Sequence, residues 1–113
     1  MSRIAPVGSP NGNAKLAATL AQVKTSLGKL PNSFATLANA PVALDGYFSL
    51  SKTLSQGRLS AHHRELLSLA IAQENECQYC LSAHTATAKA GGITASDVVK
   101  AREGKSDDPL TAL

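Results

Sequence analysis

The chain has 113 residues, enough for one domain with a small core. Its apolar fraction is 43 %, with two Tyr, two Phe and no Trp, so the core must be built from Leu, Ala, Val and Ile. The net charge of +3 comes from scattered Lys and Arg, with no basic run and no interleaved aromatics, which argues against a nucleic-acid partner. No apolar run approaches the roughly 20 residues of a membrane span. The first residues, Met1 to Gly8, lack the apolar stretch of a secretory signal. The expectation is a cytoplasmic protein, away from membranes. In such a compartment, two close cysteines serve redox or metal chemistry rather than stapling.

Residues 1–12 hold two prolines and two glycines and predict an extended lead-in. The remainder, 13–113, predicts a single all-α domain of about six helices. Asn13 caps a helix running to about Leu27, with Leu16, Leu20, Val23 and Leu27 at helical spacing and Gly28 as its stop. Asn32 or Ser33 is expected to cap a short helix over 34–39. Pro41 opens the next, which carries Tyr47 and Phe48 as core candidates and stops by Gly57. Ser60 caps a helix to about Glu74. Its stretch from Leu66 to Ala72 is apolar on nearly every side, which predicts a central position. A short polar connection leads to a cysteine-bearing helix ending at Gly91-Gly92. Thr94, with Asp97 three residues on, starts another helix that ends near Gly104. Ser106 to Leu113 reads as the first turn of a further helix, as in a truncated chain or one with a swapped terminal element. No strand-period stretch and no repeat is present.

Both cysteines lie in one stretch, Cys77 and Cys80, with His84 one helical turn further on and Glu65 twelve residues before the pair. With Cys77 in the first turn of a helix, the spacings i, i+3 and i+7 put all three side chains on one stripe. Cα atoms three apart in a helix are roughly 5 Å apart, within disulfide range. The thiols can therefore close and reopen with little backbone movement. His84 can take a proton from Cys80, and a helix N-terminus or an imidazole lowers a thiol's pKa. Ala83, Ala86, Ala88 and Ala90 allow the close approach of a neighbouring helix. Two rivals stand beside this reading. The thiols can be structural, or Cys77, Cys80 and His84 can hold zinc with His62 or His63 as fourth ligand, although the spacing is not that of a zinc finger. Haem attachment needs a histidine directly after the second cysteine, and that residue is Leu81. Taken alone, Glu65 reads as a solvated carboxylate near a helix start and His84 as a satisfied core histidine. Tyr79 either gates the site or packs.

The set Glu65, Cys77, Cys80 and His84 resembles the active-site signature of the alkyl hydroperoxidase D-like branch of the carboxymuconolactone decarboxylase superfamily. Leu30 to Phe34 and Asn39 to Pro41 resemble its first helices, and the likeness covers roughly residues 26–104. The resemblance implies an all-helical domain that assembles as a homo-trimer or as a hexamer. It implies a dithiol-dependent peroxidase with no cofactor. The counterpart of Glu65 acts as base through water and His84. Cys80 attacks the hydroperoxide and becomes a sulfenic acid, and Cys77 gives a proton and then resolves it as a disulfide. The reductant is a dithiol partner, such as a lipoylated or thioredoxin-like protein. A helix N-terminus favours Cys77 as the activated thiol, whereas the imidazole favours Cys80. The expectation follows the imidazole. Gln78 and Tyr79 between the cysteines depart from relatives that carry a histidine there. The alternative is a zinc-holding or redox-sensing helical module without turnover.

Overall fold

The computed structural model describes residues 3–112. Met1 and Ser2, expected in the lead-in, and Leu113, expected in the last turn, lie outside the described residues. Among the described residues the secondary structure is entirely helical: α1 (Ala14–Leu27), α2 (Asn32–Leu37), α3 (Pro41–Ser55), α4 (Ala61–Glu74), α5 (Gln78–Ala90), α6 (Ala95–Arg102) and the single turn α7 (Pro109–Ala112). The helices fall into two compact units, one ending at Leu54 and the other beginning at Ser55.

In the first unit the ends of α1 follow from local chemistry. Asn13 Oδ1 accepts from Leu16 N–H at 2.9 Å. Gly28 closes the helix at φ 74°, a left-handed conformation that costs glycine little. The cap of α2 differs from expectation. Pro31 takes that place without a side-chain bond, and Asn32 is already helical, because proline's fixed φ near −60° sets the entry angle. The core joins Leu16 and Leu20 of α1 to Ala38 and to Leu44 of α3, with Phe34 and Phe48 packed against them. Tyr47 is not core. Its ring meets Phe34 at 5.4 Å and Phe48 at 5.7 Å between centroids, while about half of the residue is exposed. An aromatic body with a polar tip suits such a rim. The lead-in is tied to this unit by Val7 N–H to Ala35 O at 2.9 Å and by Asn39 Nδ2 to Ala5 O at 2.8 Å.

The second unit positions the cysteines. Here α4 packs against α5 and α6. Leu66, Leu69, Ala88, Ile93, Val98 and Ala101 form its core. The central position expected for α4 holds for one face only. Leu69 is 0 % exposed, but Leu67 is 46 % and Ile71 60 % exposed. The reason is coverage: α5 and α6 together shield one side of the helix, and this opposite stripe lies beyond their reach. The expected alanine approach narrows in the same way, since Ala88 is buried while Ala83, Ala86 and Ala90 are exposed.

The junction of α4 and α5 is the tightest feature of this unit. Cys77 N–H bonds Ala72 O at 3.0 Å and Glu76 N–H bonds Gln73 O at 3.0 Å, the two bonds of a Schellman motif. Its left-handed position is taken by Glu76, at φ 51°, where glycine is the usual occupant. Glu76→Gly is therefore expected to stabilise the protein by roughly 0.5–1 kcal/mol, the relief of left-handed strain less glycine's larger unfolded-state entropy. A rise in the urea midpoint at unchanged slope is the check; a lowered midpoint would show that the glutamate side chain itself holds the corner.

Candidate active site

Cys77 serves two helices at once. It closes the C-terminal motif of α4 and is the N-cap of α5, where its Sγ accepts from Cys80 N–H at 3.2 Å. It thus stands just ahead of the helix, not inside the first turn as the spacing alone predicts. The two cysteines form a disulfide, with their Cα atoms 5.2 Å apart.

Within α5, Cys80 and His84 are i and i+4 and share a face. His84 Nδ1 lies 2.7 Å from Glu65 Oε1, a contact made across the packed α4–α5 pair. An ionised carboxylate only accepts, so Nδ1 carries the proton and Nε2 is left as the ring's remaining acceptor. The link between Glu65 and His84 is direct, with no water between them. The Glu65 side chain is 16 % exposed and that of His84 38 %, so the pair is partly shielded yet reachable from solvent. A carboxylate so placed fixes the tautomer and ring plane of the imidazole.

The other candidates stand elsewhere. His63 belongs to the start of α4. Its Nδ1 lies 2.8 Å from Ser60 Oγ, and its Nε2 lies 3.7 Å from Asp108 Oδ2. Asp108 also accepts from Thr111 N–H at 2.8 Å and Thr111 Oγ1 at 2.6 Å. These Thr111 bonds, with a smaller share from His63, hold the Asp108 carboxyl below its ordinary value. A carboxylate depressed in this way supports the folded α7 turn above the usual carboxylate range, and that support is lost as pH falls through the depressed value. His62 lines a cavity of about 210 Å³ with Leu66, Asp97 and Lys100, and none of Cys77, Cys80, His84 and Glu65 borders it. Tyr79, beside Cys80, is 51 % exposed. Among the described residues no group of three or more His, Cys, Asp or Glu gathers as a metal site. Two features escaped sequence reasoning, the left-handed Glu76 and the capping role of Cys77. The signal for the first was faint, a polar run without glycine between two helices.

An all-helical unit that seats a Cys-x-x-Cys disulfide at a helix start, with a carboxylate–imidazole pair one turn on, defines a class of helical proteins built around a vicinal cysteine pair. The chain belongs to the carboxymuconolactone decarboxylase family, which it matches over residues 41–107. It is similar to the alkyl hydroperoxide reductase Rv2159c of Mycobacterium tuberculosis (strain ATCC 25618 / H37Rv), 27 % identical over 95 residues. That match takes in 83 % of this chain and 28 % of the relative, so the chain spans little more than a quarter of that protein's length. The kinship expected with the alkyl hydroperoxidase D-like branch stands on these two findings. No helix of the described residues is long and apolar enough to cross a membrane.

Proposed function

We propose that the protein is a thiol-dependent peroxidase in which Cys77 and Cys80 cycle between dithiol and disulfide. The observation that carries this reading is the Glu65–His84 hydrogen bond, one helical turn from a closed cysteine pair. In the reduced protein His84 Nε2 takes the Cys80 thiol proton, and Glu65 stabilises the imidazolium that forms. The Cys80 thiolate attacks one oxygen of the hydroperoxide. The O–O bond breaks, an alcohol leaves with that proton, and Cys80 becomes a sulfenic acid. Cys77 sulfur then displaces water from Cys80, which restores the disulfide. A dithiol partner, lipoylated or thioredoxin-like, returns two electrons. The name of the mycobacterial relative supports the same chemistry. Self-association as a trimer or hexamer belongs to this proposal, and the exposed Leu67 and Ile71 are consistent with it.

Hydroperoxide turnover with several dithiol donors tests it, on wild type and on Glu65→Gln. The amide keeps the shape of Glu65 but carries no charge for the imidazolium, and turnover is expected to fall by about 10²- to 10⁴-fold, the scale of one positioned proton-transfer group. Undiminished turnover in Glu65→Gln would remove the carboxylate from the mechanism; absence of turnover in wild type with every donor would remove the peroxidase.

A further inference from the structure

We infer that Glu74 and Glu76 make the Cys77–Cys80 disulfide selective for a reductant that carries positive charge beside its attacking thiol: a dithiol protein whose sulfur-bearing face is lined with Lys or Arg. This rests on the redox role proposed above for the pair.

The chain is basic, yet the stretch from Glu65 to Ala88 holds three carboxylates and no Lys or Arg. Glu65 is engaged with His84. Glu74 and Glu76 are exposed, and neither has an ion-pair or hydrogen-bond partner for its side chain among the described residues. Arg102 of α6 is hydrogen-bonded to Gln73 Oε1 at 2.8 Å, and Arg64 at the start of α4 is turned back to Leu59 O at 2.6 Å. Glu76 directly precedes Cys77, and Glu74 ends α4 two residues earlier. The Cα atoms of both residues therefore lie within roughly 11 Å of the Cys77 Cα, about one screening length at 0.1 M salt. Tyr79 adds a half-exposed ring next to Cys80 for a partner to cover.

The chemistry of the step makes this charge matter. Disulfides are opened by thiolates, which are anions. The partner's thiolate attacks one sulfur of the pair, the S–S bond breaks, and the other sulfur leaves as a thiolate and takes a proton. The partner's second thiol displaces the first, so the partner is oxidised by two electrons and Cys77 and Cys80 become thiols. Two uncompensated carboxylates beside the disulfide repel the approaching anion. A cationic rim on the partner cancels that repulsion, while an anionic monothiol such as glutathione meets it in full. The same two side chains thus favour one partner and exclude the abundant wrong one.

The probes are cysteamine, which is cationic, and 2-mercaptoethanesulfonate, which is anionic, each used to reduce the oxidised full chain without peroxide. The ratio of their rate constants, compared between wild type and Glu74→Gln/Glu76→Gln, cancels the thiols' intrinsic reactivities. At low salt the ratio is expected to be roughly three- to tenfold larger in wild type, the modest end of electrostatic effects on encounter rates. In wild type alone it is expected to shrink by a similar factor between about 20 mM and about 500 mM salt, as the screening length drops from roughly 20 Å to roughly 4 Å. The salt series keeps the test decisive if the double variant folds poorly. A ratio unchanged by the substitutions in a folded double variant, or unchanged by salt in wild type, overturns the inference. Because no peroxide is present, selectivity in a protein that fails to turn over hydroperoxide supports the charge rule and sinks only the peroxidase. A flat ratio in a protein that does turn over sinks the charge rule alone.

Discussion

Cys80→Ser is expected to abolish hydroperoxide consumption, a loss of roughly 10³-fold or more, because a serine hydroxyl beside the same imidazole is a poor nucleophile toward an O–O bond. Cys77→Ser is expected to behave differently. It keeps the attacking sulfur, consumes about one equivalent of peroxide per chain, and stops at a sulfenic acid that a dimedone-type reagent can trap. The pair of variants matters because the two thiols are supported by different groups. Cys77 Sγ accepts from Cys80 N–H at the start of α5, so its thiolate is favoured by a backbone donor and by the helix dipole. Cys80 shares its face with His84, whose Nδ1 is held by Glu65 at 2.7 Å. A thiolate stabilised by the cap is well placed to resolve a sulfenic acid. A thiol beside a proton acceptor is well placed to start the reaction. Peroxide titration followed by mass spectrometry decides between the roles, and a trapped sulfenic acid on Cys77 in Cys80→Ser would reverse them.

The second large effect is on stability. Leu69→Ala is expected to cost about 3–4 kcal/mol, within the range seen when a fully buried leucine leaves a cavity. Leu69 is 0 % exposed in the core shared by α4, α5 and α6. Leu67→Ala, two residues away on the same helix, is expected to cost under about 1 kcal/mol in a dissociated chain, since Leu67 is 46 % exposed. Urea unfolding of both variants, kept oxidised so that the disulfide is common to each, measures the difference. Equal losses would mean that the outer face of α4 is covered in solution, and a concentration-dependent midpoint for wild type would identify self-association as the cover.

Much of the fold was legible because helix ends are written in a few residues. Asn13, Ser60 and Thr94 each cap the helix that begins after them, and Gly28 ends α1 in the left-handed conformation. Pro41 opens α3 as its ring permits. The short helix α2 was misread at its start, since Asn32 and Pro31 are both credible there and local preference alone does not rank them. The α4–α5 corner was hidden for a related reason. A Schellman motif normally shows itself by glycine, and here Glu76 carries the strained angle.

The candidate site divides along the same line. By itself the chain determined that Cys80 and His84 share one face of a helix, because the helical repeat converts a spacing of four residues into neighbourhood; Cys77 reaches Cys80 from the cap position instead. It also determined which family pattern the four residues fit, through Glu65 twelve places upstream. Only the tertiary structure decided that Glu65 and His84 touch, since that contact spans two helices and depends on how α4 lies against α5. Only the packing decided which face of α4 is core, sending Leu66 and Leu69 inward and Leu67 and Ile71 outward from a run that is apolar nearly all round. Local periodicity is a property of one helix, whereas burial and a paired proton acceptor require a second surface.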